Sequence, residues 1–550
     1  MSKISETICY FSAEIGLSSS IPTYSGGLGV LAGDYIKASA DLNLPVIGIT
    51  LLYRHGQGIQ RINRDGVQKE RWNNFNPDGI LKKEEAEIKL KLDGKEIIIE
   101  IWSKTVNGVR GHKGKVFFLD VNHHTNTPEH RNLGSRLYGG GTETRIRQEY
   151  ILGFGGVKTL KVLGFWPLKG FHLNEGHTSF VALSLMDEGL SINEIKNKLH
   201  FTTHTPVPAG HDVFDMEEVR KVLGSNHADF CSNFTEDDKL SMSHLAINVS
   251  NTCNAVSKLN AKVAKDMFPG KQIGSITNGV HHLTWTSVPL AKLYDKELPG
   301  WRVNPDLLSD ASKLNSNMLW QAHLTAKKSL IRYANSMSGK GLSPERLTIC
   351  FARRIVEYKR PNLILKDIER LIEICENKVQ FIFAGYAHPN NIAGKKIIKE
   401  LNEATDILGN KVNFVYLENY SMWLGSKLVS GADIWLNNPI RPLEACGTSG
   451  MKASMNGVLN FSVSDGWWDE EANNGKNGWI IGNKNEESDD IRDSKKIYDI
   501  LEKEIIPLWE NDRNKWIKMM KCAISTSSKM TAKRMVKEYQ NYYDNFGSHQ

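Results

Sequence analysis

Short apolar runs followed by amphipathic segments recur along the 550-residue chain. This alternation predicts strands that alternate with helices, and therefore a mainly parallel β-sheet. The runs that fit strands and end in polar or glycine-rich loops are 45–53, 171–176, 199–206, 273–280, 347–354, 379–387, 412–420 and 431–439. Because they fall into two sets, the pattern predicts an α/β protein with two doubly wound domains.

Three segments differ from this alternation. The stretch 287–310 is rich in proline, glycine and charge, which predicts a domain boundary. Residues 86–104 contain two strand-like runs around an Asp-Gly pair, which predicts an antiparallel insert. From Asp493 onward the chain is predicted to be helical, since apolar residues near its end follow a helical spacing.

Charge and cysteine content narrow the classes of function. The formal net charge is +7, but lysine and arginine are mixed with acidic residues, which disfavours a nucleic-acid partner. The seven cysteines include no C-x-x-C pair, which favours reduced thiols over a disulfide framework or a zinc site. The sequence has neither a signal-peptide pattern nor an apolar run long enough for a membrane span, so we expect a cytoplasmic protein.

The stretch 444–458, EACGTSGMKASMNGV, places one lysine inside a run of small residues. Gly447 and the three residues after it can present backbone N–H groups at a helix start, which favours an anion such as phosphate. Side chains tilt toward the helix N-terminus, so Lys452 is predicted to point back to the same place. The alternative is a solvent-exposed helix lysine. The spacing does not fit the Walker loop of ATPases.

Four cations follow a predicted strand in the stretch FARRIVEYKRP: Arg353, Arg354, Lys359 and Arg360. Open α/β sheets bind ligands at the C-terminal ends of their strands. Guanidinium and ammonium groups together suit a phosphate dianion, which makes this stretch a candidate phosphate site. The alternative is a solvated basic loop.

Glycine-rich and histidine-rich loops also adjoin predicted elements. Gly26 and Gly27 precede a predicted helix, and their loop suits an anion or a sugar as well as a simple tight turn. HLNEGH (172–177) and TTHTPVPAGHD (202–212) lack the zinc spacing H-E-x-x-H and favour contacts with sugar hydroxyls over metal binding. Each histidine could equally be a loop-packing residue. Asn278 either recognises a ligand or forms an Asx turn.

Taken in order, these stretches resemble the α-glucan phosphorylase family of glycogen and maltodextrin phosphorylases, and specifically its shorter bacterial branch. The resemblance begins at YFSAEIGL and continues to about Trp479 through SGGLG, RIRQEY, HLNEGH, TTHTPVPAGHD, TNG, RRIVEYKR, LENY and EACGTSGMK. The stretches RRIVEYKR and EACGTSGMK are specific for the family. Their order along the chain carries more weight than any single motif.

The resemblance implies the GT-B fold, in which two Rossmann-like domains face a central cleft. We therefore expect a first domain over 1–290 with the glycine-rich loop and the glucan contacts. A second domain over 291–525 would carry the cofactor and phosphate sites, and a C-terminal helix over 526–550 would return to the first domain. A homodimer rests on family analogy alone.

The resemblance also implies a reaction. Inorganic phosphate would cleave the non-reducing end of an α-1,4-glucan, either glycogen or maltodextrin, and release α-glucose 1-phosphate with retention of configuration. The cofactor would be pyridoxal 5'-phosphate, whose phosphate group would act in proton relay with the substrate phosphate.

Residue roles follow by matching positions. Lys452 would form the imine with the cofactor, while Arg354 and Lys359 would bind the substrate phosphate. The other cofactor contacts would be Arg353, Thr448, Ser449, Tyr420, Gly26 and Gly27. The sugar contacts would be Glu444, Gly447, Asn278, His204 and Leu28. No metal site is expected.

Three positions depart from the family pattern: Cys446, Gly16 and Tyr386 stand where relatives carry serine, tyrosine and lysine. The chain also begins almost at YFSAEIGL, so control through an N-terminal phosphorylated segment is not expected.

Two alternative functions share part of this signature. A sugar-nucleotide-dependent glucan synthase would share the fold and some basic residues, but it would leave Lys452 without a role. A glucan-binding protein without catalysis would not need Lys452, Arg354 and Lys359 together. We therefore predict an α-glucan phosphorylase.

Overall fold

The computed structural model describes residues 4–207, 210–484 and 486–547, and the chain divides into two compact units. The first unit comprises Met1–Gly58, Trp72–Thr277 and Ala532–Gln550. The second comprises Ile59–Arg71 and Asn278–Thr531. Each unit is built around a largely parallel β-sheet, so the predicted α/β class is confirmed.

The first unit contains a nine-stranded sheet. Its spatial order is Gly274–Ser275, Thr252–Ala255, Leu199–Thr203, Gly170–Asn174, Ile8–Phe11, Val46–Leu51, Lys113–Asp120, Lys95–Asn107 and Lys82–Leu92. Neighbours pair in parallel as far as Lys113–Asp120, and the last two strands pair antiparallel. Those two strands are the predicted insert. Their two-residue turn, Asp93 and Gly94, has positive φ at both positions, as a tight hairpin favours.

The second unit contains a six-stranded sheet in which all neighbours pair in parallel. Its spatial order is Asn413–Leu417, Val379–Tyr386, Leu347–Arg354, Ile434–Asn437, Leu459–Val463 and Gly478–Ile481. The strand Val379–Tyr386 is buried at every position, and Leu347–Arg354 is buried at every position but its last. Burial on both faces explains why such strands form continuous apolar runs in the sequence.

Helices make up most of the remaining chain. In the first unit they are Gly27–Asp41, Pro128–Asn132, Thr142–Tyr150, Ile151–Gly155, Gly156–Val162, Phe180–Asp187, Ile192–Lys196, Met216–Leu223, Ser225–Cys231, Met242–Val249, Lys258–Met267 and Ala532–Tyr543. In the second unit they are His282–Trp285, Val288–Glu297, Pro305–Lys313, Ser316–Ser338, Ile368–Cys375, Ile392–Leu408, Met422–Gly431, Thr448–Met455, Trp467–Glu471, Asp490–Ile500, Leu501–Ile505, Ile506–Asn511 and Arg513–Ser527. Within the described residues, no helix combines the length and apolar character that a membrane span needs.

Short elements complete the two units. Single 3-10 turns lie at Ile4–Glu6, Gly176–Thr178, Ser232–Phe234, Glu357–Lys359, Leu363–Leu365 and Ser528–Met530. The strands Val213–Asp215, Lys239–Ser241 and Thr235–Glu236 form a small antiparallel sheet.

One hairpin belongs to the second unit although the chain on both sides of it belongs to the first. Its strands, Ile59–Ile62 and Gln68–Arg71, pair antiparallel. The Gln60 amide donates to the carbonyl oxygen of Gly385 at 2.8 Å, and the Gln68 amide donates to that of Ala387 at 2.7 Å. These bonds attach the hairpin to the end of the strand Val379–Tyr386. Residues 59–71 therefore belong to the second unit, although they fall within the range 1–290 that was expected to form the first domain.

The last helix, Ala532–Tyr543, is part of the first unit. The hydroxyl of Tyr543 lies 2.6 Å from Nδ1 of His172, whose Nε2 lies 2.8 Å from the Thr202 hydroxyl. Burial lowers the pKa of His172 well below its usual range, so the ring is neutral. Both ring nitrogens of His172 thus have partners inside the first unit. His172 therefore packs the last helix against the sheet, and the sugar contact expected for its motif does not apply to this histidine.

A buried ion cluster joins the helix Ser316–Ser338 to the second sheet. The carboxylate of Asp433 accepts from the Lys327 ammonium at 2.6 Å and from the backbone N–H of Thr348 at 2.7 Å. Nε2 of His323 lies 2.8 Å from the same carboxylate. Asp433 and Lys327 are both inaccessible to solvent, so each charge depends on the other for compensation.

We expect Asp433→Asn to lower the free energy of unfolding of the second unit by about 3–5 kcal/mol, because it leaves the Lys327 ammonium buried without a counter-charge. Denaturant unfolding followed by tryptophan fluorescence measures the change. The exposed neighbour Lys328 provides a matched control, since Lys328→Ala removes a charge that is already hydrated. An unchanged unfolding midpoint for Asp433→Asn would contradict this assignment.

Candidate active site

Two of the predicted cations converge on one carboxylate in the second unit. Arg353 lies at the end of the strand Leu347–Arg354, and Lys359 lies in the 3-10 turn that follows it. Nη1 of Arg353 donates to Oε2 of Glu444 at 2.7 Å, and Nζ of Lys359 donates to the same oxygen at 2.9 Å. All three side chains are almost fully buried. The structure thus joins two stretches that are far apart in the sequence.

The charge of Glu444 is fixed by this pairing. Burial alone would raise its pKa, but the charges of Arg353 and Lys359 outweigh burial and hold the pKa of Glu444 at about 2. Glu444 is therefore a carboxylate throughout the neutral range, and its oxygens can only accept hydrogen bonds.

The backbone of this loop is fixed by a second acidic residue, Asp465. Its Oδ2 accepts from the N–H of Glu444 at 3.0 Å, and the N–H of Trp467 donates to the carbonyl oxygen of Cys446 at 3.0 Å. Gly466 has φ +52°, and a Cβ there would lie 2.3 Å from the carbonyl oxygen of Cys446. Burial raises the pKa of Asp465 to about 7. Sequence reasoning missed Asp465, although a Ser-Asp-Gly turn directly after an apolar strand was a usable signal.

A tight turn leads from Glu444 into the helix Thr448–Met455. Gly447 precedes this helix with φ +83°, a left-handed conformation that favours glycine. Because Gly447 has no side chain, no N-cap side chain accepts from the first N–H groups of this helix. Ser449 lies in this first turn, and its hydroxyl accepts from the Trp435 indole N–H at 3.1 Å. The predicted helix start is thus present, with Thr448 as its first residue.

Lys452 lies on this helix and is buried, with 7% of its surface exposed. Its ammonium nitrogen lies 3.8 Å from the centre of a Trp285 ring. The alternative of a solvent-exposed helix lysine is therefore wrong. A buried amine one turn from a helix N-terminus can hold a carbonyl-containing ligand whose anionic group lies at that N-terminus.

The remaining cations of the basic stretch do not join this cluster. The Arg354 side chain is exposed and forms no ion pair within the described residues. Arg360 has φ +47°, and its guanidinium donates to the carbonyl oxygens of Asn438 and Pro439 and pairs with Asp493 at 2.8 Å. Arg360 is thus a structural residue, whereas Arg354 keeps a side chain in contact with solvent.

Two other predicted contacts of the second unit lie in loops. Asn278 is buried, with 4% of its surface exposed. Tyr420 is half-buried and follows the strand Asn413–Leu417, and its hydroxyl would lie 3.2 Å from a Cβ at Gly425. Glycine at 425 therefore gives the Tyr420 ring room.

In the first unit, the glycine-rich loop leads into the helix Gly27–Asp41. Gly26 and Leu28 are half-buried and Gly27 is exposed. Both glycines have ordinary φ values, and no described atom beyond their chain neighbours lies within 4 Å of where a Cβ would stand. Neither backbone strain nor internal packing in the first unit explains glycine at these two positions.

His204 is also in the first unit, just after the strand Leu199–Thr203. Its Nε2 lies 2.7 Å from the amide oxygen of Asn174, and its backbone N–H donates to Glu175 at 2.9 Å. Burial lowers the pKa of His204 to about 4, so a neutral imidazole is present at pH 7. Residues 208 and 209 of this histidine-containing stretch lie outside the described residues.

Comparison with known proteins assigns the chain to a family. A family model described as carbohydrate phosphorylase matches residues 212–505. The chain is 40% identical to the maltodextrin phosphorylase of Thermococcus litoralis, over 98% of this chain and 70% of that protein. It is 38% identical to the glycogen phosphorylase of Aquifex aeolicus, over 98% and 86% of the two chains. The glycogen phosphorylase of Mycobacterium tuberculosis is 33% identical, over 98% and 70%.

The lowered pKa of Glu444 predicts how stability depends on pH. A carboxyl group with a pKa of about 2 when folded and 4.5 when unfolded stabilises the fold above pH 4.5 by about 3 kcal/mol. This stabilisation is lost as the pH falls from 4.5 toward 2. We expect the difference in unfolding free energy between the wild type and Glu444→Gln to be large at pH 7 and to shrink below pH 4.5. Denaturant titrations at pH 7, 5 and 3.5 measure it, and a difference independent of pH would refute the pairing.

Proposed function

This chain belongs to the carbohydrate phosphorylase family, and from that membership we propose that it is an α-1,4-glucan phosphorylase. It uses inorganic phosphate to cleave the non-reducing end of maltodextrin or glycogen and releases α-glucose 1-phosphate with retention of configuration. The observation that carries the proposal is the joining of Arg353, Lys359 and Glu444 at the turn before Lys452.

Pyridoxal 5'-phosphate suits the residues around this turn. The Lys452 amine is buried against an indole ring, which suits attachment of a flat aromatic aldehyde. The helix Thr448–Met455 starts without a side-chain cap, and Thr448 and Ser449 add hydroxyl groups to its N–H groups, which suits a phosphate. We therefore propose that Lys452 attaches the cofactor and that Thr448, Ser449, Arg353 and Tyr420 surround it.

Cationic side chains would hold the substrate phosphate. Arg354, whose side chain is exposed, and Lys359 bind the substrate phosphate through charge-assisted hydrogen bonds. Gly26 and Gly27 let the backbone approach the phosphates closely, which would explain glycines that internal packing does not require. When bound, the cofactor supplies a phosphate group that can exchange a proton with the substrate phosphate.

The family resemblance implies which residues hold the sugar. Glu444, as a carboxylate, would accept from glucose hydroxyls, and the Gly447 backbone and Asn278 would add sugar contacts at positions that match those of the family. His204, as a neutral imidazole, and Leu28 complete the sugar contacts from the first unit. These groups would orient the sugar and stabilise the charge that develops during cleavage.

We propose the GT-B arrangement and the domain roles that the family resemblance implies. The first unit would supply the glycine-rich loop and glucan contacts, and the second would supply the cofactor and phosphate sites. A homodimer follows the same analogy.

Product analysis tests the function. Purified protein loaded with pyridoxal 5'-phosphate is incubated with maltoheptaose, with and without inorganic phosphate. We expect α-glucose 1-phosphate to form only when phosphate is present. Consumption of a sugar nucleotide without phosphate-dependent release would identify a glucan synthase. Glucan binding without either reaction would identify a non-catalytic binding protein.

Arg354→Ala tests the substrate phosphate site. We expect kcat/KM for phosphate to fall by about 30- to 1000-fold, which corresponds to a loss of about 2–4 kcal/mol for one preorganised charge contact. The exposed Arg332 on the helix Ser316–Ser338 gives a matched control, since Arg332→Ala removes the same group elsewhere on the second unit. Equal phosphate kinetics in the two variants would refute the role of Arg354.

A further inference from the structure

We infer that Glu14 is the positioning residue of the glycine-rich loop: its carboxylate holds the backbone of Ser25 and Gly26 so that the following helix start can bind phosphate. The inference rests on the proposed function. Glu14 lies in the stretch YFSAEIGL, to which sequence reasoning gave no chemical role.

The carboxylate of Glu14 accepts hydrogen bonds from two segments of the first unit. Oε2 accepts from the N–H of Ser25 at 2.6 Å and from the N–H of Gly26 at 3.3 Å. Oε1 accepts from the Tyr138 hydroxyl at 2.7 Å. Only 2% of Glu14 is exposed, so these hydrogen bonds replace water as its solvation.

Two glycines of the following helix are explained by the space that Glu14 and the backbone of Gly16 occupy. A Cβ at Gly29 would lie 2.6 Å from Oε2 of Glu14, and a Cβ at Gly33 would lie 1.9 Å from the carbonyl oxygen of Gly16. The N–H of Gly16 donates to the carbonyl oxygen of Gly29 at 2.7 Å. Segment 14–16 and the first two turns of the helix therefore fit together without space for side chains at Gly29 and Gly33.

Gly26 and Gly27 differ from those two glycines. No described atom beyond their chain neighbours would contact a Cβ at either position, so the fit against Glu14 does not require them. Glu14 takes up the N–H groups of Ser25 and Gly26, and the helix begins at Gly27 without a side-chain cap. The first N–H groups of a helix have no acceptor within it, which leaves those of Gly27 and Leu28 suited to a phosphate.

The Tyr138 ring lies beside a partly buried ion network. The Arg145 guanidinium lies 5.0 Å from the centre of the Tyr138 ring. It pairs with Asp212 at 2.7 Å and with Glu149 at 3.2 Å. One chain of contacts thus connects the loop backbone, through Glu14 and Tyr138, to the ion network of Arg145.

Three variants of the cofactor-loaded protein separate positioning from charge. Glu14→Ala removes both acceptor oxygens, Glu14→Gln keeps a carbonyl oxygen that can accept from Ser25 and Gly26, and Tyr138→Phe removes only the buttressing hydroxyl. Glu85→Ala, at an exposed glutamate of the strand Lys82–Leu92, is the matched control. Initial rates are measured over a range of inorganic phosphate at saturating maltoheptaose, and over a range of maltoheptaose at saturating phosphate. Titration calorimetry with inorganic phosphate gives its affinity without turnover.

We expect Glu14→Ala to raise the KM and the Kd for phosphate at least tenfold, while the KM for maltoheptaose changes less than threefold. Glu14→Gln should restore both phosphate constants to within threefold of wild type, and Tyr138→Phe should raise them about threefold. A general loss of stability would not separate phosphate from glucan in this way. If Glu14→Ala does not fold, the Tyr138→Phe and Glu14→Gln results decide.

Two results would overturn the inference. The first is unchanged phosphate constants in Glu14→Ala, or in Tyr138→Phe when Glu14→Ala does not fold. The second is a folded Glu14→Gln protein that has lost phosphate binding or turnover, because the charge or proton of Glu14 would then be needed rather than its acceptor oxygen. Failure of the proposed function is distinct, since the wild-type protein itself would then release no glucose 1-phosphate.

Discussion

The ion cluster of Glu444 with Arg353 and Lys359 is the constraint on which the second unit's candidate site depends. A carboxylate this deeply buried is stable only when cations replace its hydration, and here two are needed to hold its pKa at about 2. The strand Leu347–Arg354, the 3-10 turn after it and the loop before Gly447 must therefore be in place together. The helix that carries Lys452 starts directly from that loop, so the buried amine takes its position from the same cluster.

Much of the fold follows from local patterns. Buried parallel strands produce continuous apolar runs, and the runs at 347–354, 379–387 and 431–439 contain the observed strands. The Asp-Gly pair likewise placed the antiparallel insert. The hairpin Ile59–Arg71 also contains an Asp-Gly pair, at residues 65 and 66, but nothing in the local sequence predicts which unit it joins. Its assignment to the second unit depends on amide hydrogen bonds to Gly385 and Ala387, more than 300 positions along the chain.

Side-chain roles were less predictable than backbone elements. Arg353, Arg354 and Arg360 look alike in the sequence, yet one pairs with Glu444, one is exposed, and one binds carbonyl oxygens from a left-handed backbone conformation. The local sequence does not show which of these roles each arginine takes, because the partners that decide the role come from distant segments. The sequence around His172 was likewise compatible with a sugar contact. In the structure, the hydroxyl of Tyr543 in the last helix lies within hydrogen-bond distance of its Nδ1.

The proposed function requires pyridoxal 5'-phosphate to be attached to Lys452, on the helix that follows the turn at Glu444. Borohydride reduction of the cofactor-loaded protein, followed by mass-spectrometric peptide mapping, tests it most directly. We expect one pyridoxyl group on Lys452 in the wild type and none at that position in Lys452→Ala protein treated in the same way. A fully loaded wild-type preparation with its adduct on another lysine, or with none, would contradict attachment of the cofactor at Lys452.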